Sequence, residues 1–223
     1  MINTDSTDKG ELYINSKGVI LSLKSYGDSS IYSELFIMDY GRVYASLLHY
    51  SPNKKNISRE LQQFLWGNFE LIKNKRTHKY YIKEMNIIYD PSVISMNRKS
   101  LYMALRWSKI LAKYLPYQHA DNDLLINLRS NMKLLEHPNI VPVRAAEFRF
   151  IWLWLKEWGL APDLINFYSS RGFNEAEVIL LTQIQALRAE DVIKLFSYKL
   201  NGSIRENSLN IAVKLALEFF HEI

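Results

Sequence analysis

The chain has 223 residues, a formal charge of +5, 48% hydrophobic residues including 14 Tyr, 10 Phe and 5 Trp, and no cysteine. That length can bury one large core or two small ones, and the positive balance suits a partner of negative charge. The lack of cysteine excludes disulfides, thiolate metal sites and cysteine nucleophiles. The N-terminal stretch MINTDSTDKGELYIN has neither the basic nor the apolar region of a signal peptide, and no run approaches the roughly 18 apolar residues of a spanning helix, so the expected location is cytoplasmic with no membrane partner.

Residues 1–12 are polar and read as a disordered tail. From Gly18 to Leu48 the chain reads as three consecutive strands. Val19, Leu21 and Leu23 alternate with smaller or polar residues, and Val43, Ala45 and Leu47 alternate with Arg42, Tyr44 and Ser46, which is the period of two of a half-buried strand. Tyr26-Gly27-Asp28-Ser29 and Asp39-Tyr40-Gly41 carry the turn chemistry between them. His49 to Arg59 is a basic loop, and Glu60 to Phe64 is expected to form one helical turn. Phe69 to Lys73 and Lys79 to Tyr89 read as a fourth and fifth strand around the turn Asn74-Lys75-Arg76-Thr77. Five short antiparallel strands over residues 13–90 suit a small closed barrel, because closure removes exposed edges.

After Asp90-Pro91-Ser92 the period becomes helical, and residues 91–223 read as an all-helical domain, making the fold class α+β. Leu101, Leu105 and Ala112 line one face of a first long helix, with Trp107 and Leu111 beside it and Pro116 as its stop. Asp121 is the expected N-cap of a second helix carrying Leu124, Leu125, Leu128, Met132 and Leu135. Pro142 fits the first turn of a third, whose segment EFRFIWLWLKEW is apolar nearly all round and reads as the central buried helix. Asn174 with Glu177 forms a capping-box pattern for a fourth. Val192, Leu195 and Phe196 mark a short fifth, and Leu209, Ala212, Val213, Ala216, Leu217 and Phe220 an amphipathic last helix.

Catalytic signals are poor. The five histidines (49, 78, 119, 137 and 221) make no HxH or HExxH spacing, and no Gly-rich phosphate loop occurs, so no enzyme, metal or cofactor is expected. Glu175/Glu177 and Glu190/Asp191 sit at helix starts, where negative charge complements the helix dipole. The basic stretches point elsewhere. From Lys17 to Lys83 there are 11 basic and 5 acidic side chains. Lys24 and Arg42 lie at turns of the meander; Lys54, Lys55 and Arg59 occupy the loop after it; Lys75, Arg76 and Lys79 flank the last hairpin beside Tyr80 and Tyr81. Cations interleaved with aromatics on a small barrel are what single-stranded nucleic-acid binding uses, while the plainer reading is a solvated hairpin tip. Trp152, Trp154 and Trp158 are assigned mainly to core packing.

In order and spacing these motifs resemble the RecO family of bacterial recombination mediators. The resemblance rests on GVILSLKSYGDSSIYSELFIMDYGRVYASL, on Leu61-Gln62-Gln63-Phe64, on Leu101-Tyr102 through Leu115, and on Arg149-Phe150 through Trp158-Gly159-Leu160-Ala161-Pro162, and it extends weakly over 178–223. It implies an N-terminal five-stranded OB-fold barrel and a helical C-terminal domain. It implies binding to single- and double-stranded DNA, strand annealing, help in loading RecA during repair of DNA damage, and a nucleoid-associated place in the bacterial cytoplasm. The partners implied are RecR and the acidic C-terminal tail of the single-stranded-DNA-binding protein, with Arg149 the first candidate for the tail's carboxylates and Lys109 and Lys113 a basic rim; an ion pair of Arg149 with Glu147 or Glu157 is the structural alternative. Two departures stand out. The family's four-cysteine zinc finger is replaced by about a dozen residues, Leu164 to Glu175, which read as a shrunken loop, and the basic run after the third strand becomes Leu48-His49-Tyr50-Ser51-Pro52. The alternatives are an adaptor for RecR and the single-strand-binding protein with little DNA contact of its own, and an OB-fold RNA-binding module, which leaves the helical domain unexplained.

One consequence is chemical: elemental analysis of purified protein is expected to find no stoichiometric zinc, since a closed zinc site takes about four converging N or S ligands. One tightly held equivalent would overturn the finger-loss reading.

Overall fold

A computed structural model describes residues 6–7, 11–26, 30–47, 61–199 and 206–219. It is a mixed α+β structure, strands first and helices after, which divides into two compact units: Met1–Ser92 with Ser108–Leu125, and Val93–Trp107 with Ile126–Ile223. Among the described residues no helix is long and apolar enough to cross a membrane.

The first unit is built on one sheet. A two-residue strand β1 (Ser6–Thr7) is followed by β2 (Glu11–Tyr26), β3 (Ser30–Ile37), β4 (Gly41–Leu47), β5 (Trp66–Asn74) and β6 (Tyr80–Tyr89), in the order β1-β2-β3-β4-β6-β5. The sheet returns on itself because β5 also pairs with β2, so β2 to β6 form a five-strand ring. The sixteen-residue β2 makes this possible. Its first half, Glu11 to Val19, lies antiparallel to β5, and its second, Gly18 to Tyr26, antiparallel to β3. The ring closes elsewhere through a short parallel pairing, Ala45–Leu47 against Tyr80–Ile82.

The ring's core contains Ile14, Ile20, Leu35, Ile37, Val43, Ala45, Phe69, Leu71 and Ile82. Fully burying such a side chain contributes about 1.5–3 kcal/mol each. The expected stripe on β2 needs correction. Ile20 pairs with Leu35 but Ser22 pairs with Glu34, so Leu21 is an extra residue in a bulge. The bulge moves the inward set from Leu12, Ile14 and Ile20 to Leu23, while Val19 and Leu21 are buried outside that cluster. The strand also starts earlier than expected, since Glu11 and Leu12 pair with Asn74 and Lys73. The helical turn expected over Glu60 to Phe64 is not formed in its described part. Phe64 has φ +71° and donates to the Ile20 carbonyl at 2.7 Å, and Ile20 donates to the Leu65 carbonyl at 3.0 Å. Those residues make a non-helical turn, with Leu65 donating to the Gln62 carbonyl at 3.4 Å, and bond to β2. The Tyr26–Ser29 turn at residues 27–29, the loop at 48–60 and Phe220 lie outside the described residues.

Because β4 meets β6 over only three residues, Gly41 to Tyr44 would present an open edge. Residues 116–119 cover it. Arg42 bridges Tyr117, and Gln118 donates to the Arg42 carbonyl at 2.9 Å. The Arg42 guanidinium reaches Glu34 at 3.2 Å and donates to the Leu111 carbonyl at 3.1 Å. The Asp39 amide donates to Asn122 Oδ1 at 2.8 Å, and Asn122 Nδ2 donates back to Asp39 Oδ1 at 2.7 Å.

The helices are α1 (Ser92–Met96), α2 (Arg98–Tyr114), α3 (Asn122–Leu135), α4 (Val143–Glu157), α5 (Leu164–Ser169), α6 (Glu175–Ala186), α7 (Ala189–Lys199) and α8 (Glu206–Glu218). Asp121 caps α3 by accepting from the Leu124 amide at 2.9 Å, and Asn174 and Glu177 complete the capping box of α6. On α2 the buried apolar positions are Met103, Ala104, Trp107 and Leu111, with Ser100 and Ser108 also buried; of the expected face Leu101 and Leu105 are half-buried and Ala112 is exposed. In the second unit α4 is the centre, as its all-round apolar pattern requires. Phe148, Phe150, Ile151, Trp154 and Leu155 are inaccessible, and Phe150 stacks on Trp107 at 4.7 Å. Glu147 is wholly buried yet receives Arg106 Nε at 2.6 Å and the Arg144 guanidinium, so its charge is paired. The first half of the loop expected over 164–175 is instead α5. Asp163 caps it, and Leu164, Phe167 and Tyr168 turn inward, where the Tyr168 hydroxyl donates to the Ala212 carbonyl at 3.0 Å.

Gly41 has φ +72°, and a Cβ there would lie 2.0 Å from the His119 carbonyl oxygen. Left-handed backbone alone costs a non-glycine residue about 1–3 kcal/mol. Gly41→Ala is therefore expected to lower the urea midpoint by at least that equivalent, and an unchanged midpoint would show that the 116–119 cover is dispensable.

Candidate nucleic-acid interface

Side chains that alternate along the ring's strands face inward or outward, and direct cross-strand partners share a face. On β3 and β4 the inward set is Ser33, Leu35, Val43 and Ala45, all buried. Tyr32 and Tyr44 are therefore outward, and they are 50% and 53% exposed. The register sets Lys24 opposite Tyr32, Tyr32 opposite Ser46, and Ser46 opposite Tyr81. One row, Lys24–Tyr32–Ser46–Tyr81, thus crosses four strands on the outer face. Tyr44 is a diagonal neighbour of Tyr32, roughly 7–8 Å away in a regular sheet, and its ring stacks on Tyr117 at 5.6 Å with an interplanar angle of 17°.

The β5–β6 hairpin projects beside this row, because Tyr80 and Tyr81 at its base pair with Ala45 and Ser46. Its tip is preorganised. Asn74 Oδ1 accepts from the amides of Arg76 at 3.0 Å and Thr77 at 2.8 Å, and His78 at φ +57° donates to the Asn74 carbonyl at 2.8 Å. Lys75, Arg76, His78 and Lys79 are exposed there.

A different part of the ring has the opposite character. Asn15, Lys17, Asn68, Glu70, Glu84 and Asn86 line a shallow cleft of about 260 Å³ on β2, β5 and β6. Glu70 and Glu84 are direct cross-strand partners, and Lys83 is hydrogen-bonded to Glu70, which holds its ammonium above the usual lysine range. Lys17 and Lys83 offset the two carboxylates, so this cleft has no net positive charge to draw a phosphate strand, and a polyanion is favoured on the tyrosine row beside the hairpin cations.

The expected site residues divide accordingly. Lys24, Lys75, Arg76, Lys79 and Tyr81 lie on or beside the row. Tyr80 does not. It is 3% exposed in the ring core, because Tyr80 and Tyr81 alternate and the pairing with Ala45 turns Tyr80 inward. Arg42 is buried and committed to Glu34 and Leu111, so it is a strut of the fold. Lys54, Lys55 and Arg59 lie outside the described residues. Lys109 and Lys113 are exposed on α2 in the first unit, whereas Arg149 belongs to the second. Arg149 is buried, donating to Asn131 Oδ1 at 3.0 Å and the Leu187 carbonyl at 2.9 Å, and burial pulls its guanidinium below the usual arginine range. Neither Glu147 nor Glu157 is its hydrogen-bond partner in these contacts. Tyr32, Tyr44 and Tyr117 are the residues that sequence reasoning missed. Tyr44 already stood in the outward set of β4; the stacking of Tyr117 has no local signal. Among the described residues no group of three or more His, Asp or Glu side chains is placed to hold a metal.

Hydrogen bonds to a charged group contribute about 1.5–3 kcal/mol each. Arg149→Ala removes the bonds to Asn131 and Leu187 and a longer one to Ser130 Oγ at 3.4 Å, and it strands Asn131, so denaturant titration is expected to show a loss of roughly 3–6 kcal/mol. A loss under 1 kcal/mol would mean that the guanidinium is not holding α3, α4 and the α6–α7 junction together.

No protein-family model matches the chain, and no curated protein matches it.

Proposed function

We propose that the five-strand ring is an OB-fold barrel that binds single-stranded DNA on its β3–β4 face, and that the chain works as a RecO-like recombination mediator. The strand order supports the fold assignment, since a long first strand shared between two partners and a parallel pair between the third and last ring strands suit a five-stranded Greek-key barrel. The observation that carries the function is the row Lys24–Tyr32–Ser46–Tyr81 with Tyr44 and Tyr117 beside it. Exposed rings offer π-faces to successive bases at about 1–3 kcal/mol each, and the hairpin cations track phosphates. Binding of double-stranded DNA, strand annealing in DNA repair, cooperation with RecR, docking of the single-strand-binding protein's acidic tail, a nucleoid-associated cytoplasmic place and the absence of enzymatic activity follow from the same family reading. Arg149, the first candidate for that tail, is buried and hydrogen-bonded within the second unit, so it does not serve as the tail's contact in this reading.

The two components separate by salt. With an oligothymidylate followed by fluorescence anisotropy, Tyr32→Ala with Tyr44→Ala is expected to weaken binding about 30-fold or more, two rings at about 1–3 kcal/mol each, and leave the log–log salt slope unchanged. Lys75→Gln with Arg76→Gln is expected to lower that slope by about 1.4, at about 0.7 per phosphate contact. Absence of binding at low salt, or tyrosine variants equal to wild type, would favour the adaptor.

A further inference from the structure

Helix α2 carries five cations and no carboxylate in the sequence RKSLYMALRWSKILAKY. At 100° per residue, Arg98, Tyr102, Arg106, Lys109 and Lys113 fall within about 80° of one another, and they span roughly 22 Å at 1.5 Å per residue. Arg98, Lys109 and Lys113 are exposed, as is Lys99 beside them, and Tyr102 is 61% exposed. Arg106 shares the buried Glu147 with Arg144, so those three groups keep one net positive charge.

Helix stability accounts for Lys113, which suits the last turn and lies over the Tyr114 ring at 4.7 Å, but not for the rest of this stripe. Arg98 and Lys99 occupy the first turn, where the helix dipole disfavours cations, and that turn has no acidic residue. Lys109 and Lys113, four apart, repel each other. Opposed locally in this way, the row calls for a polyanionic partner.

We infer that the outer face of α2 is a second nucleic-acid surface, which holds a sugar–phosphate backbone along the helix with Tyr102 against a base. Charge complementarity names a polyanion, and the exposed ring set among the cations favours a nucleic acid over an acidic peptide, which has no π-face to offer it. The surface lies on a single helix and needs nothing from the tyrosine row on the ring, so either can be true without the other.

The test uses the full chain and a labelled oligothymidylate, with oligoglutamate as the comparison polyanion. Lys109→Gln with Lys113→Gln is expected to lower the log–log salt slope by about 1.4. Tyr102→Ala is expected to weaken oligothymidylate binding about fivefold or more while leaving oligoglutamate binding unchanged. Both effects should persist in a Tyr32→Ala, Tyr44→Ala background. All of these side chains are exposed or half-exposed, and circular dichroism checks that the variants fold. A slope unchanged by the lysine pair overturns the proposal. So does a lysine effect equal for both polymers with Tyr102→Ala silent, which identifies an acidic-peptide surface. If the Tyr32 and Tyr44 variants bind like wild type while the α2 variants are impaired, the ring reading fails and this one stands.

Discussion

The return of β5 onto β2 is the constraint on which the first unit depends. A strand of sixteen residues serves two antiparallel partners in succession, and the bulge at Leu21 turns its inward face from one to the other. Closure commits the inner face to apolar packing, so polar and aromatic side chains of intervening positions are held outward in fixed rows. The tyrosine row is a product of that closure. Its geometry is set by backbone pairing across four strands, which is a stiffer scaffold than a loop.

The second unit solves a different problem. Its central helix is apolar around almost its whole circumference, and yet it carries Glu147 and Arg149 inside. Each is satisfied by groups from other elements: Glu147 by Arg106 of α2 and Arg144, Arg149 by Asn131 of α3 and the Leu187 carbonyl after α6. Purely apolar contacts tolerate sliding of one helix over another. Directional bonds to buried charges do not, because a slipped register would leave an ion without a partner in a dry interior.

Much of this was legible in the sequence, and the failures share a cause. Alternation in the first and third strands, with the turn residues at Asp39–Gly41 and Asn74–Thr77, located the run of five strands, although the bulge at Leu21 breaks the stripe on β2. Asp121 and the Asn174–Glu177 box marked helix starts because capping is local chemistry, and Pro142 marked another through its ring-fixed φ of −56°. What escaped was decided by partners distant in the chain. Two consecutive tyrosines at 80 and 81 cannot both face outward, and the pairing with Ala45 and Ser46 chooses between them. Arg42 was correctly read as outward, but Leu111 and Tyr117 cover that part of the face. Arg149 looked like a surface cation because Asn131 and Leu187 are not its sequence neighbours. At Leu164, Phe167 and Tyr168 the helical spacing was present in the residues themselves; comparison with a family whose finger stands there had suggested a loop.

The cover over the edge of β4 has a consequence for biosynthesis. The strand ends at Leu47, but the segment that pairs with Arg42 is residues 116–119, about seventy residues later. A ribosome adding about 5–20 residues per second leaves that edge without its partner for several seconds after the strand has been made. Unpaired strand edges recruit other chains. Nascent chains of this protein are thus exposed to mispairing until α2 and the turn after it have emerged, and a fragment cut at the end of β6 would carry the same open edge permanently.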